Sequence, residues 1–417
     1  MPTNKKLTIG LFGFGTVGKG LYDVLNHTTT LDSTIKKICI RDSSKTRSIP
    51  SENFTTNPLE LIEDPEINCI VELIDDPVAA FEIVKQALSN GKAVVSANKK
   101  MIADNFSALL ALQERYQIPF LYEASCCASM PIIRNLEEYY DNDLLQAFRG
   151  IINGSTNFIL SKMSEEGTSF SEALLQAQQL GFAETDPTLD TGGADAANKL
   201  SILLAHAYGT IIHPGNLIYN GITNISNIDS LVASQKSFRI KLVAQAQKLS
   251  GDKLSAFVLP QFVETGDELY HVSDVYNAVI TESSFADKHF FKGKGAGAFP
   301  TASAVLSDIS ALRYDYRYEY KKIYRHENTT ISHDYYLKVF LSFDDEEKIN
   351  RGDLEFIEES HQEYGRSWVI ATIHAGKLTN SDWWKKEGVS LILLPDPVVE
   401  DIEYKKISKR SLELAGL

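Results

Sequence analysis

The sequence predicts an α/β protein: a doubly wound parallel sheet at the N-terminus, an α+β middle region and a small C-terminal α+β module. Three observations carry this. Short apolar runs alternate with helical patterns from residue 7 to residue 122, the rhythm of a parallel sheet wrapped by helices on both faces. A glycine-rich turn, Gly13-Phe14-Gly15-Thr16-Val17-Gly18, joins the first strand to the first helix, the Rossmann-type arrangement for holding a dinucleotide. Beyond Pro131 the strict alternation ends, and longer helical patterns appear.

The elements follow in order. Residues 7–12 (LTIGLF) read as a buried strand, and Val17, Leu21, Val24 and Leu25 give the next segment a helical apolar face. Further strands are expected at 34–40, 67–74, 93–96 and 118–122, with helices over 78–90 and 103–116. In the middle region, helices are expected at 134–141, 170–181, 193–208 and 301–312, and strands at 254–263 and 270–281. Arg313–Arg325 alternates tyrosine with charge and reads as a half-exposed strand or linker. The last part offers a strand at 335–343, a helix at 352–364 and strands at 367–374 and 389–394. The domain reading is therefore 1–133 for the dinucleotide, with 300–330 completing its sheet, 134–312 for substrate binding, catalysis and dimerisation, and 331–417 as the C-terminal module.

Composition narrows the function classes. The 417 residues carry 41 Lys and Arg against 55 Asp and Glu, a net charge of −14. A surplus of acid argues against nucleic-acid binding, which needs cations along the phosphates. No apolar run reaches the ~20 residues of a membrane-spanning helix. The first residues do not read as a secretory leader. A cytoplasmic enzyme is expected. Cys39, Cys69, Cys126 and Cys127 have no CxxC spacing, so neither a metal ribbon nor a disulfide framework is read.

The glycines of the first turn have separate tasks. Gly13 permits the turn, Gly15 lets the backbone approach a pyrophosphate, and Gly18 allows close packing of the helix. The helix N-terminus then presents unpaired N–H groups to the anion. After the second strand come Arg41 and Asp42, with Lys45 and Arg47 close behind. A carboxylate there grips a ribose diol, whereas an arginine accommodates a 2′-phosphate. Arg41 favours NADP, and Asp42 keeps NAD open.

Six ordered segments carry a family resemblance: GLFGFGTVGKGL at 10–21, VVSANKKMIA at 94–103, EASCCASMPII at 123–133, GIINGSTNFIL at 150–160, GFAETDPTLDTGGADAANKLSIL at 181–203 and GKGAGAFPTASAV at 293–305. Together they resemble homoserine dehydrogenase, whose members interconvert L-homoserine and L-aspartate 4-semialdehyde with NAD(P) on the route to threonine, isoleucine and methionine. The resemblance implies an acid/base lysine at Lys199, a functional carboxylate at Asp195, and Lys99 facing substrate and nicotinamide. It places homoserine on Glu184, with Asp190 as a second candidate, and puts Gly295 beside the nucleotide. It also implies a monovalent cation, sodium, on Glu123 and the carbonyls of Cys126, Ala128 and Met130. A homodimer or homotetramer is expected.

The chemistry explains why such groups are needed. Hydride leaves the alcohol carbon while the hydroxyl proton goes to a base. In reverse, an acid protonates the developing alkoxide. A free lysine has a pKa of about 10.4, so making it a base near neutrality costs ~4–5 kcal/mol, whereas a charged lysine is already an acid. On spacing alone, Asp195 and Lys199 read as an i,i+4 ion pair on a helix surface; only the resemblance gives them chemistry.

Three departures from the family pattern stand out. Cys126, Cys127 and Ser129 replace Val-Gly and further glycines, so the ion loop is expected to change shape. Asp75-Asp76 replaces Gly-Gly beside the nicotinamide position. Many family members carry a ligand-sensing ACT domain, and residues 331–417 have that size, yet Ser342–Lys348 lacks the Asp-x-Pro-Gly turn, so an ACT-like module without threonine feedback is expected. Two other readings remain: a Rossmann dehydrogenase for a different amino acid, and a nucleotide sensor without catalysis.

Overall fold

The computed structural model describes residues 5–28, 31–142, 144–325, 329–363 and 365–401. In chain order the first elements are β1 (Leu7–Phe12), α1 (Thr16–His27), β2 (Ser33–Cys39), β3 (Phe54–Thr55), α2 (Leu59–Ile62), β4 (Cys69–Glu72), α3 (Pro77–Ser89), β5 (Ala93–Ser96), α4 (Lys99–Asp104), α5 (Phe106–Tyr116), β6 (Phe120–Leu121) and α6 (Ile132–Arg134). Next come β7 (Leu145–Ile151), α7 (Gly154–Glu166), α8 (Phe170–Gln179), α9 (Thr188–Thr191), α10 (Ala194–Tyr208), β8 (Ile218–Tyr219), α11 (Asn227–Gln235), β9 (Phe238–Leu249), β10 (Lys253–Glu264), β11 (Tyr276–Ser283) and β12 (Asp287–Lys294). The chain continues through α12 (Ala298–Leu312), α13 (Lys321–Tyr324), β13 (Thr330–Ile331), β14 (Tyr336–Phe343), β15 (Leu354–Glu363), β16 (Arg366–His374), α14 (Ala375–Asn380) and β17 (Val389–Val399).

The chain packs as two units. The first comprises residues 1–145, 198–214 and 291–327. Its sheet has the order β3-β2-β1-β4-β5-β6, and all five neighbouring pairs are parallel. Buried Ile9, Leu11, Ile38, Ile70, Val71, Val94 and Val95 make these strands apolar on both faces, as a sheet covered by helices requires. The strand order reverses between β1 and β4, which marks the place where such sheets bind ligands. Among the described residues of 300–330, the chain forms α12, α13 and the start of β13, which pairs with β10, so none of them adds the expected strand to this sheet. Helix α12 lies against α1 so closely that a Cβ on Gly20 would stand 2.8 Å from the Ala298 carbonyl oxygen.

The Arg313–Arg325 segment is half-exposed, as expected, and forms a connection with the short α13 rather than a strand: Tyr318, Tyr320 and Lys322 are buried, while Arg317, Glu319 and Lys321 are exposed. The Tyr122 hydroxyl meets both the Tyr320 hydroxyl and His206 Nε2 at 2.9 Å. His206 Nδ1 lies 2.8 Å from Glu137. The tyrosines alternate because alternate side chains enter this polar cluster.

The second unit comprises residues 146–197, 215–290 and 328–417. Its main sheet runs β12-β11-β7-β9-β10-β17-β14-β16-β15. The long β9–β10 pair is antiparallel from Lys253↔Leu249 to Glu264↔Phe238. The C-terminal strands join this sheet through β17, which pairs with β10 at Gln261↔Leu393. Their core, with Leu337, Leu341, Val369, Trp384 and Leu391, also includes Phe257 and Leu259 of β10. The helix expected at 352–364 is β15. Among the described residues this edge strand pairs with β16 alone, and it shifts register twice. Its glutamates mimic a helical composition, and the two bulges hide the alternation of a strand. The first strand–helix–strand unit expected there is therefore a run of strands, while β16, α14 and β17 keep a strand–helix–strand order.

Candidate active site

In the first unit, the turn after β1 is shaped by its glycines. Gly13 has φ 94°, and a Cβ there would stand 2.6 Å from the Leu73 carbonyl oxygen. A Cβ on Gly18 would meet the Gly13 carbonyl at 2.3 Å, so turn and helix touch backbone to backbone. A Cβ on Gly15 would meet nothing within 4 Å, which leaves the approach to the α1 N-terminus open. No side chain caps that helix at Gly15. Phe14 sits edge-on to Tyr22 and Phe54. Thr16 is exposed and Val17 half-buried at the rim. These groups fit the pyrophosphate of a dinucleotide.

Beyond β2, a pocket of about 510 Å³ is lined by Ser43, Ser44, Lys45, Arg47 and Thr55, among others. Arg47 lies over the Phe54 ring and donates to the Asp42 carbonyl at 2.7 Å. The Asp42 carboxylate accepts from the Ser44 amide and hydroxyl, and these bonds hold its pKa below the ordinary value. Asp42 is thus occupied as a turn former. Arg41 is exposed beside it.

At the carboxyl ends of β4 and β5 lies a feature that sequence reasoning missed. Glu72 is wholly buried. It accepts from the Ser96 hydroxyl at 2.6 Å and the Ile74 amide at 2.7 Å. Burial pushes its pKa up to about 7, against these hydrogen bonds. Ser96 in turn accepts from the Asn98 amide, while Asn98 donates to the Ile74 carbonyl and caps α4 through Met101. The chain Glu72–Ser96–Asn98 fixes the loop that presents Lys99, the first residue of α4. Lys100 is tied to Asp104 on the surface. Asp75 and Asp76 are exposed, and Asp76 caps α3 by accepting from Val78 and Ala79. That cap is the physical reason for an aspartate where the family pattern has glycine.

Glu123 is buried and its carboxylate accepts from the Ile133 amide at 2.8 Å and the Arg134 amide at 3.0 Å. Its own amide donates to Asp308, which pairs with the Arg134 guanidinium. Burial, with the neighbouring Asp308 adding to it, pushes Glu123 up to about 8, and burial pushes Asp308 up to about 6. Cys127 and Ala128 hold φ at 56° and 41°. Losing glycine has therefore not removed the left-handed backbone from this loop. Ordinary side chains adopt it, at a cost of about 1 kcal/mol each. The Ser129 hydroxyl donates to the Lys294 carbonyl, and a Cβ on Gly293 would stand 2.7 Å from Ser129 Oγ. Gly295 follows, half-buried. The carboxylate and carbonyl oxygens here are a hard donor set suited to a monovalent cation, although the Met130 carbonyl also accepts from Ile132.

The second unit holds the acidic residues. Glu184 is exposed. Asp186 accepts from the Thr188 amide and hydroxyl at the start of α9, so it is a turn former. Asp190 lies on α9, and Asp195 in the first turn of α10, where the helix dipole favours an anion. A Cβ on Gly193, at φ 87°, would stand 2.8 Å from the Asn220 carbonyl oxygen between them. Asn153 donates to Asp190 at 2.7 Å and to Asp195 at 2.8 Å. Asp195 is 3% exposed and Lys199, one turn on, 6%. The exposed position that spacing alone predicted is therefore not where these residues lie. The Cys126 thiol touches the Lys199 carbonyl at 3.8 Å.

A Rossmann sheet with an open phosphate turn, together with a helix carrying a buried lysine and carboxylate, defines a nicotinamide-dinucleotide oxidoreductase. Residues 13–123 match the family model of the homoserine dehydrogenase NAD binding domain, and residues 131–310 match that of homoserine dehydrogenase. The homoserine dehydrogenase of Bacillus subtilis is 35% identical over 322 residues, 75% of this chain and 74% of that protein. That of Helicobacter pylori is 37% identical over 313 residues, 73% of each. Among solved structures, a homoserine dehydrogenase from Thiobacillus denitrificans superposes with a TM-score of 0.80 at 28% identity, covering 95% of this chain and all of that one. A hyperthermophilic archaeal homoserine dehydrogenase mutant in complex with NADPH gives 0.64 at 28% identity, covering 76% of this chain and all of that one. The chain belongs to the homoserine dehydrogenase family. It is an NAD(P)-dependent oxidoreductase of amino-acid biosynthesis, and the family's substrates are L-homoserine and L-aspartate 4-semialdehyde. Among the described residues, no helix is long and apolar enough to cross a membrane.

Proposed function

We propose that Lys199 is the proton carrier, that Lys99 polarises the substrate oxygen, and that Asp195 holds Lys199 and substrate in register. The observation that carries this reading is the burial of Asp195 and Lys199 on successive turns of α10. Two buried ionisable groups one turn apart are costly in a fold that does not use them. Glu184 and Asp190 bind the homoserine ammonium. When bound, the nicotinamide supplies the hydride donor or acceptor. Lys199 gives its proton to the aldehyde oxygen during reduction. Lys99, held at the start of α4, supplies positive charge where the alkoxide develops.

NADP is the preferred dinucleotide in this reading. Ser43, Ser44, Lys45 and Arg47 offer hydroxyls and cations to a 2′-phosphate. Asp42 is bound to Ser44 and is not presented to a ribose diol. The relative solved with NADPH agrees with this preference. Gly13 to Gly18 hold the pyrophosphate, Arg41 stands at the 2′-phosphate rim, and Gly295 contacts the nucleotide. Glu123 with the carbonyls of Cys126, Ala128 and Met130 would hold sodium. Exposed Phe285 and Phe290 on the hairpin of β11 and β12 support self-association, as a homodimer or homotetramer, in the cytoplasm.

The test is direct. The protein is mixed with L-homoserine and either NADP or NAD, and absorbance of the reduced nicotinamide is followed. Faster turnover with NADP is expected, and Lys199→Ala should lower kcat by roughly 10²–10⁴ while KM changes little. A near-normal kcat for Lys199→Ala excludes its acid/base role. Turnover only with other amino acids would favour a different dehydrogenase.

A further inference from the structure

We propose that Asn153 is a positioning residue for the reaction: one carboxamide that sets the spacing of Asp190 and Asp195 by donating to both. This inference deepens the functional reading above and rests on it.

The carboxamide is fully committed. Its Nδ2 donates to Asp190 Oδ1 at 2.7 Å and to Asp195 Oδ2 at 2.8 Å. Its Oδ1 accepts from the Thr156 amide at 2.8 Å and the Thr156 hydroxyl at 3.0 Å, which caps α7. These partners fix which way the amide faces, because two carboxylates demand donors and an amide N–H demands an acceptor. The residue is 4% exposed, so water does not substitute for these bonds.

The support behind it is rigid. A Cβ on Gly154 would stand 2.9 Å from the Val275 carbonyl oxygen, so the first turn of α7 lies directly on that backbone. Asn157 donates to the Val272 and Tyr276 carbonyls and accepts from Lys241. Asn157 thus anchors the helix, and the anchored helix aims Asn153. Asp190 and Asp195 lie on either side of the Gly192-Gly193 turn. Asn153 bridges that turn from outside.

The residue type is dictated by this double task. Aspartate caps a helix as well as asparagine does but brings no donor, and serine brings a single donor. Asparagine caps with its oxygen and still has two hydrogens for two carboxylates.

Asn153→Asp separates the tasks. The cap survives, whereas Asp190 and Asp195 now face a third carboxylate. At about pH 8, kcat/KM for homoserine should fall by roughly 10²-fold, with the dissociation constant for NADPH near that of the parent and a lowered melting temperature, since a buried carboxylate facing two others is costly. Lowering the pH to about 6 should narrow the gap, because the introduced carboxyl, once protonated, donates one hydrogen to Asp190 or Asp195, the charged groups that face it. Asn153→Ser, with one donor, should be intermediate, and it carries the test if Asn153→Asp does not fold. A gap that is unchanged with pH, or values within twofold of the parent, overturns the proposal. Asp195→Asn, measured alongside, separates the two levels. If it loses kcat while Asn153→Asp and Asn153→Ser do not, the positioning role alone is wrong. If it keeps the parental kcat, the functional reading falls and the proposal with it.

Discussion

Two groups of carboxylates, one in each unit, are fixed in opposite ways. In the first, Glu72, Glu123 and Asp308 are struts: each takes backbone amides or hydroxyls onto its oxygens, and burial raises its pKa. In the second, Asp190 and Asp195 are themselves held, by an amide side chain from another helix. A strut ties stretches of backbone together, whereas a held carboxylate is set in place by a side chain. A perturbed pKa therefore does not by itself mark the chemistry of this protein. What a carboxylate is bonded to separates the two uses.

The largest effect that tests this contrast is on turnover. Asp195→Asn keeps an oxygen for the Asn153 donor and removes only charge. Its kcat should fall by roughly 10²-fold with little change in melting temperature. Glu72→Gln is the matching change in the first unit, and its kcat should stay within about tenfold of the parent. Equal losses of kcat in the two variants would erase the distinction between strut and held group.

The next effect is on stability, and its sign follows from the shift. The Glu72 carboxyl titrates at about 7 in the fold, above its ordinary value of 4.5. Between these values the folded chain keeps a proton that the unfolded chain has lost. Stability from this group is present below about pH 4.5 and is lost as pH rises through 7. Glu72→Gln removes that dependence. Its advantage over the parent should grow to about 2–3 kcal/mol by pH 8 and vanish near pH 4.5. Denaturant unfolding of both proteins across this range measures it. An advantage that does not grow with pH would mean Glu72 is ionised in the fold without penalty.

What the sequence made legible follows the range of the interaction. The turn at 13–18 was readable because its constraints lie within one strand–turn–helix unit. The helix cap at Asn153 is equally local, since its partner Thr156 is three residues away. The other half of that side chain was not legible, because Asp195 is 42 residues distant. Glu123 and Asp308, 185 residues apart, and the tyrosine cluster around His206 were hidden for the same reason. Strand β15 was misread because its glutamates favour a helix locally, and pairing with β16 overrides that preference. The site residues were legible through the family resemblance. Spacing alone gave Asp195 and Lys199 an exposed pair that their burial excludes.

The smallest predicted effect concerns Asp76, an exposed member of the first unit's carboxylates. As a departure from the family's glycines, it raised the question of whether its charge disturbs the cofactor. Its oxygen accepts from two amides of the first turn of α3 at 3.0 and 3.1 Å, and Pro77 follows at the first helical position. Charge there meets the positive end of a helix, and the cap makes it a strut like Glu72, only solvated. Asp76→Ala should therefore cost about 1 kcal/mol, a shift of about 2 °C or less in a chain of this size. Asp76→Gly should cost a few tenths. Neither should alter KM for NADP. If both variants instead tightened NADP binding several-fold with no change in melting, the carboxylate would be acting on the cofactor's phosphates, and this exposed group would belong with those that act on ligands rather than with the struts.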